Sequence, residues 1–177
     1  MTRYLFSLED FHRMAEAGIL PEDARVELLE GEIVTMSPVG KKHAYALNTL
    51  VDLLAPLVGK AVLSVQNPLV LGPTTEVYPD LVLLTPPRTR YRNRLPEGPD
   101  ALLVVEVAET SLEHDLGVKV PLYAKAGVPE VWVVDLARNR VHVFRKPTGE
   151  GFGHQEVLEE GELEILGLKV PVREVLP

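Results

Sequence analysis

Two short apolar runs, each with a carboxylate at one end, constrain this chain more than any other feature. Asp80 follows Pro79 and opens the run Leu81 to Leu84, and Glu106 closes the run Leu102 to Val105. Continuous apolar runs of this length predict buried strands. Each carboxylate then stands at a strand end, where a sheet can bring the two together. Lys119 adds an ammonium further along the chain. Two carboxylates and an ammonium converging at one place suit a hard metal ion, Mg²⁺ or Mn²⁺, and a phosphodiester. The competing expectation is turn chemistry at Asp80 and a strand-end surface residue at Glu106.

The rest of the chain surrounds those strands with a mixture of elements. Ser7 to Ala17 predicts a short helix capped by Ser7, with Leu8, Phe11 and Ala15 at helical spacing. Arg25 to Leu28-Leu29 and Glu32 to Met36, joined by Glu30-Gly31, predict a β-hairpin. His43 to Val58 places apolar residues at 47, 50, 51, 54, 57 and 58, the signature of an amphipathic helix. Strands are expected at 61–65 and 68–71, a turn or loop at 72–77, and a polar loop at 86–101. A helix over 112–125, a strand over 130–135, a hairpin of 140–145 with 152–158, and short strands near 163–165 and 168–170 complete the reading. This is an α/β (α+β) architecture of mixed sheet, flanking helices and extra hairpins, expected as one domain over residues 1–177.

Composition narrows the chemistry. The chain has no cysteine, which excludes disulfides, thiolate metal sites and cysteine nucleophiles. Fifteen prolines beside few asparagines and glutamines lean toward a heat-adapted, thermostable protein. No apolar stretch reaches the roughly 20 residues that span a bilayer, and the N-terminus lacks a signal-peptide pattern, so a cytosolic (cytoplasmic) protein without a membrane partner is expected. The net charge of −8 counts against nucleic acid, but residues 149–177 carry −5 of it, which leaves only −3 for residues 1–148. The glutamates of 156–164 suit an exposed hairpin edge or, alternatively, a basic surface on a second subunit in a homo-oligomer.

One segment is basic. Arg88, Arg90, Arg92 and Arg94 surround Tyr91 in the loop between the two acidic strands. Such a loop can hold phosphates on either side of a site, with Tyr91 stacking on an unpaired base. It equally suits a solvated polar loop. His12, His114, His142 and His154 show no zinc-ligand spacing and are expected to be structural.

The run Glu27-Leu-Leu-Glu-Gly-Glu-Ile-Val-Thr-Met-Ser-Pro, then His43, Pro79-Asp80, Val104-Val-Glu-Val, Asp115, Lys119 and Tyr123 to Asp135 resembles the Uma-type family of bacterial proteins. That family lies in the restriction-endonuclease-like PD-(D/E)XK superfamily, and the resemblance spans roughly residues 5–145. It implies a mixed sheet flanked by helices, a Mg²⁺-type site and endonuclease activity on DNA. It also implies roles for Glu27, as a further acid near the metal, and for His43. Position 108, where the superfamily places its lysine, is alanine here. The resemblance transfers that role to Lys119, although an Asp115–Lys119 surface ion pair at i, i+4 would explain the same spacing. Pro121 frees the carbonyl of Gly117 and predicts an irregular turn at Lys119.

Three functions remain open on these residues. They are a metal-dependent endonuclease, a catalytically inactive nuclease-fold module that binds nucleic acid or protein, and a metal-dependent hydrolase of a small phosphorylated substrate.

Overall fold

The computed structural model describes residues 1–177. Its first element, α1 (Leu8–Glu16), begins at a reciprocal cap in which Ser7 and Asp10 bond each other's backbone N–H. β1 (Val26–Leu29) and β2 (Glu32–Thr35) form the expected hairpin. Its two turn residues, Glu30 and Gly31, both take positive φ, the twist that suits a two-residue hairpin loop.

The long helix α2 (Lys41–Leu54) starts two residues before the expected His43 and passes into a 3-10 turn, Ala55–Leu57. After it come β3 (Val62–Val65), β4 (Leu69–Gly72), β5 (Thr75–Val77) and β6 (Leu81–Leu84). β5 corrects the sequence reading, which expects a loop over 72–77. Its central Glu76 breaks the apolar pattern yet is buried, because His12 of α1 bonds it at 2.7 Å.

β7 (Ala101–Ala108) leads to a helix in three parts: α3 (Leu112–His114), a π turn over Asp115–Lys119, and α4 (Val120–Lys125). The π turn sits where Pro121, lacking an N–H, leaves the ordinary ladder incomplete, and the Val120 N–H reaches back to the Asp115 carbonyl. β8 (Glu130–Asp135), β9 (Arg140–Pro147), β10 (Phe152–Leu158), β11 (Glu162–Ile165), β12 (Leu168–Pro171) and the short helix α5 (Val172–Val175) finish the chain.

Six strands in the order β10-β9-β8-β7-β6-β3 form the central sheet, which is mixed because β7 and β8 run parallel and the other pairs antiparallel. Strand alternation sorts its side chains onto two cores. Leu81, Leu83, Leu103, Val105, Val107, Trp132 and Val134 pack under α2 and the β11–β12 tail. Val82, Leu84, Val104, Val131 and Val133 face α4 and residues of β1, β4 and β5. The second, four-stranded sheet has the order β2-β1-β5-β4. No helix is long and apolar enough to cross a membrane.

Candidate active site

The pairing of β6 with β7 decides where the two carboxylates go. Leu81 lies opposite Val105 and Val82 opposite Val104, so extending the register by one residue sets Asp80 beside Glu106. Even-numbered residues of both strands face α4, which puts both carboxylates on the same side of the sheet. Their contacts interlock. The Asp80 N–H donates to Glu106 Oε1 at 3.0 Å, and the Val107 N–H donates to Asp80 Oδ2 at 2.7 Å.

α4 and the π turn close this face. Lys119 points its ammonium between Glu27 Oε2, at 2.9 Å, and Glu106 Oε2, and the Tyr123 hydroxyl donates to Glu106 Oε2 at 3.1 Å. Glu27 comes from β1, where its Oε2 also accepts the Tyr78 N–H at 2.8 Å. Glu27, Glu106, Lys119 and Asp115 are each at most 5% exposed. Glu27 is therefore not the solvent-facing hairpin residue that its sequence setting allows. Nor does Lys119 form the Asp115–Lys119 surface pair, since it binds the other two acids and Asp115 accepts from the Ser111 hydroxyl at 2.9 Å. His43, in the first turn of α2, places Nε2 3.0 Å from Asp80 Oδ1.

All five sequence candidates, Asp80, Glu106, Lys119, Glu27 and His43, line one cleft of about 600 Å³. The sequence reading missed Arg25, Tyr78, Glu109 and His114 in the same walls, and it gave Asp115 no place in the cleft. The Asp115–Lys119 spacing was the signal for Asp115, but an ordinary helix explains that spacing without a site.

The electrostatics follow from burial. Removal from water pushes the Glu106 carboxyl up to about 8, against the pull of the Lys119 ammonium and with added repulsion from Asp80, Asp115 and Glu27. Burial raises Asp115 as well. For Lys119 burial disfavours the charge, but the Glu106 and Glu27 carboxylates outweigh it and hold its pKa above the ordinary lysine value. The hydrogen bond to Asp80 raises His43, with burial opposing.

The arginine loop is elsewhere. Because β6 and β7 are antiparallel, the segment joining Leu84 to Ala101 lies at the strand ends opposite Asp80 and Glu106. Arg88, Tyr91 and Arg92 line a separate cleft of about 500 Å³ beside β3. The Tyr91 hydroxyl bonds the Thr85 carbonyl, and Arg94 lies over its ring at 5.3 Å. Arg94 in turn forms a two-pronged pair with Asp100. None of Arg88, Arg90, Tyr91, Arg92 and Arg94 lines the carboxylate cleft, so the structure does not bring them together with Asp80 and Glu106.

A profile of the Uma2 family, described as "Putative restriction endonuclease", matches residues 8–174. The chain belongs to the Uma2 family. The match covers the hairpin of Glu27, both carboxylate strands and the helix of Lys119, and it continues through the β11–β12 tail. A solved structure described as a "putative nuclease belonging to DUF820" from Anabaena variabilis is similar, with a TM-score of 0.75 over 96% of this chain and 97% of that one. Identity between the two is 14%, so the likeness is one of fold. No curated protein matches the chain. The fold of this chain is thus a restriction-endonuclease-like mixed sheet flanked by helices, with its acidic cleft where β6 begins and β7 ends.

Proposed function

We propose that this protein is an endonuclease that hydrolyses DNA phosphodiester bonds with a divalent cation, Mg²⁺ or Mn²⁺, held by Asp80 and Glu106. The observation that carries this reading is the register of β6 and β7, which sets the two carboxylates side by side on one face with Lys119 between Glu106 and Glu27.

The donor set fits such a cation. Asp80 and Glu106 offer four hard oxygens; Glu106 Oε2 accepts from both Lys119 and Tyr123, and the other three, with one donor each, keep a lone pair to spare. No three His, Asp or Glu side chains gather around a common point, so the site would rest on two carboxylates, a number with which Mg²⁺ can be held when it keeps several waters. Bound there, the cation would supply charge on a phosphoryl oxygen and a more acidic water.

The remaining residues act through their own atoms. Lys119, kept charged by two carboxylates, offsets the negative charge that builds on the reacting phosphate, and its raised pKa makes it a poor proton acceptor. Glu27 aims that ammonium, and His43 fixes the orientation of Asp80 through Oδ1. Both are positioning residues. Burial raises the Glu106 carboxyl against the pull of Lys119, and a cation, which takes the carboxylate form, would favour release of its proton.

Nicking of supercoiled plasmid in Mg²⁺ or Mn²⁺, and its loss in EDTA or in Asp80→Asn, tests the reading. A second reading, a nuclease-fold module that binds nucleic acid or protein without cleaving, is favoured by one fact. Both Glu106 oxygens and both Asp80 oxygens already accept hydrogen bonds or ion pairs within the chain. Metal-independent binding without nicking would select it. Turnover of a small phosphate ester, but not of DNA, would select the small-substrate hydrolase that the acidic charge of the chain allows.

A further inference from the structure

The two walls of the cleft differ in charge. One wall carries Glu109 and Asp115, on either side of α3. The other is built from the start of β1, the segment Ser37 to Gly40 and the first turn of α2. It carries Arg25, Lys41 and Lys42. Arg25 lines the cleft, and its guanidinium touches only the Ser37 carbonyl, at 3.5 Å. Lys41 and Lys42 are exposed, and the first turn of their helix holds no acid. None of the three joins an ion pair, whereas Lys119 in the same cleft is bonded to two carboxylates.

A chain of net charge −8 that leaves three cations unpaired along one wall of its acidic cleft has them free for an outside anion. Their spread selects the kind of anion. Arg25 lines the cleft, while Lys41 and Lys42 are exposed in the first turn of α2, between the lining residues Gly40 and His43 and outside the lining itself. A polymer with repeated phosphates would meet all three.

Resting on the proposed nuclease reading, we infer that Arg25, Lys41 and Lys42 form the track along which the DNA backbone enters the cleft, and that the arginine loop of residues 88–94 takes no part. Arg25, nearest the carboxylates, contacts the phosphate next to the reacting one through its planar fork. Glu109 faces this track from the opposite wall, with a carboxylate oxygen 3.3 Å from where a Cβ on Gly40 would stand. It competes with phosphate at the start of α2 and sets a threshold for entry.

The test is a salt titration of duplex DNA affinity in Ca²⁺, so that binding is read without cleavage. Each lost phosphate contact should lower the slope of log affinity against log salt by about 0.9. The triple variant Arg25→Ala, Lys41→Ala, Lys42→Ala should lose about two to three units of slope and at least tenfold in affinity. The control Arg88→Ala, Arg90→Ala, Arg92→Ala should keep the wild-type slope, and Glu109→Gln should bind more tightly than wild type. A melting-temperature rise in Mn²⁺ shows that each variant is folded with its carboxylates intact. Wild-type slopes in the triple variant, or a lost slope in the arginine-loop control, would overturn the track. Absence of DNA binding by the wild type at low salt would overturn the nuclease reading and the track together. An unchanged slope in a protein that still nicks plasmid would overturn the track alone.

Discussion

The carboxylate cleft and the arginine groove occupy opposite ends of the same two strands and are similar in size, about 600 and 500 Å³, yet they treat charge in opposite ways. In the cleft, Glu27, Glu106, Asp115 and Lys119 are almost wholly withdrawn from water and bonded to one another or to neighbouring side chains. In the loop at the groove, Arg88, Arg90 and Arg92 are exposed and join no ion pair, and only Arg94 is tied down, to Asp100. Burying four ionisable groups costs more than a well-packed apolar cluster of the same shape, so stability gives no reason for the cleft. Perturbed, desolvated acids gathered in a concavity are what chemistry on a substrate requires. Exposed arginines cost the fold almost nothing, and these stand at the strand ends away from the acids.

The comparison is broken most sharply by removing the counter-charge. Lys119→Met leaves Glu27 and Glu106 facing each other in the interior, and breaking a buried pair in this way costs about 3–5 kcal/mol. Thermal or urea unfolding measures it, and a loss no larger than that of a surface substitution would mean that the cleft is wet.

The next effect is in pH. Burial raises the Glu106 carboxyl to about 8 in the folded protein, above the ordinary value of 4.5 at which the unfolded chain titrates. Metal-free protein therefore gains stability from this group at low pH and loses it progressively as pH rises between those values. Glu106→Gln abolishes that slope, so its melting temperature should gain on the wild type as pH is raised from 5 to 8. Parallel pH profiles of the two proteins would show that Glu106 is ionised throughout. Cation binding should run the other way and strengthen with pH over the same range, because the cation requires the carboxylate form.

The smallest effects belong to the groove. Arg90→Ala and Arg92→Ala should each alter stability by no more than about 0.5 kcal/mol and leave plasmid nicking at the wild-type rate. A tenfold fall in nicking would restore the loop to the mechanism.

Much of the carboxylate site was legible because a charge ended each buried apolar run, and the family resemblance chose a site over the turn and surface residues that spacing alone allowed. Asp80 and Glu106 announced themselves in that way, and the register then joined them. Other residues were hidden by having an ordinary alternative. Asp115 read as half of a surface ion pair, and only the π turn beside Pro121 shows it turned inward. β5 was hidden by Glu76, whose burial depends on His12, 64 positions away. The arginine loop was misplaced because closeness in sequence to both acids was taken for closeness in space. An antiparallel pair sends its connecting loop to the far end of the strands. α5, four residues long, has no period to detect.

The most direct measurement is anomalous diffraction from a crystal soaked in Mn²⁺. The account predicts one peak between the carboxylates of Asp80 and Glu106, with Lys119 retained beside Glu27, and loss of the peak in Asp80→Asn. A peak confined to the glutamates of 156–164, or none at all at an occupancy-saturating concentration, would contradict it.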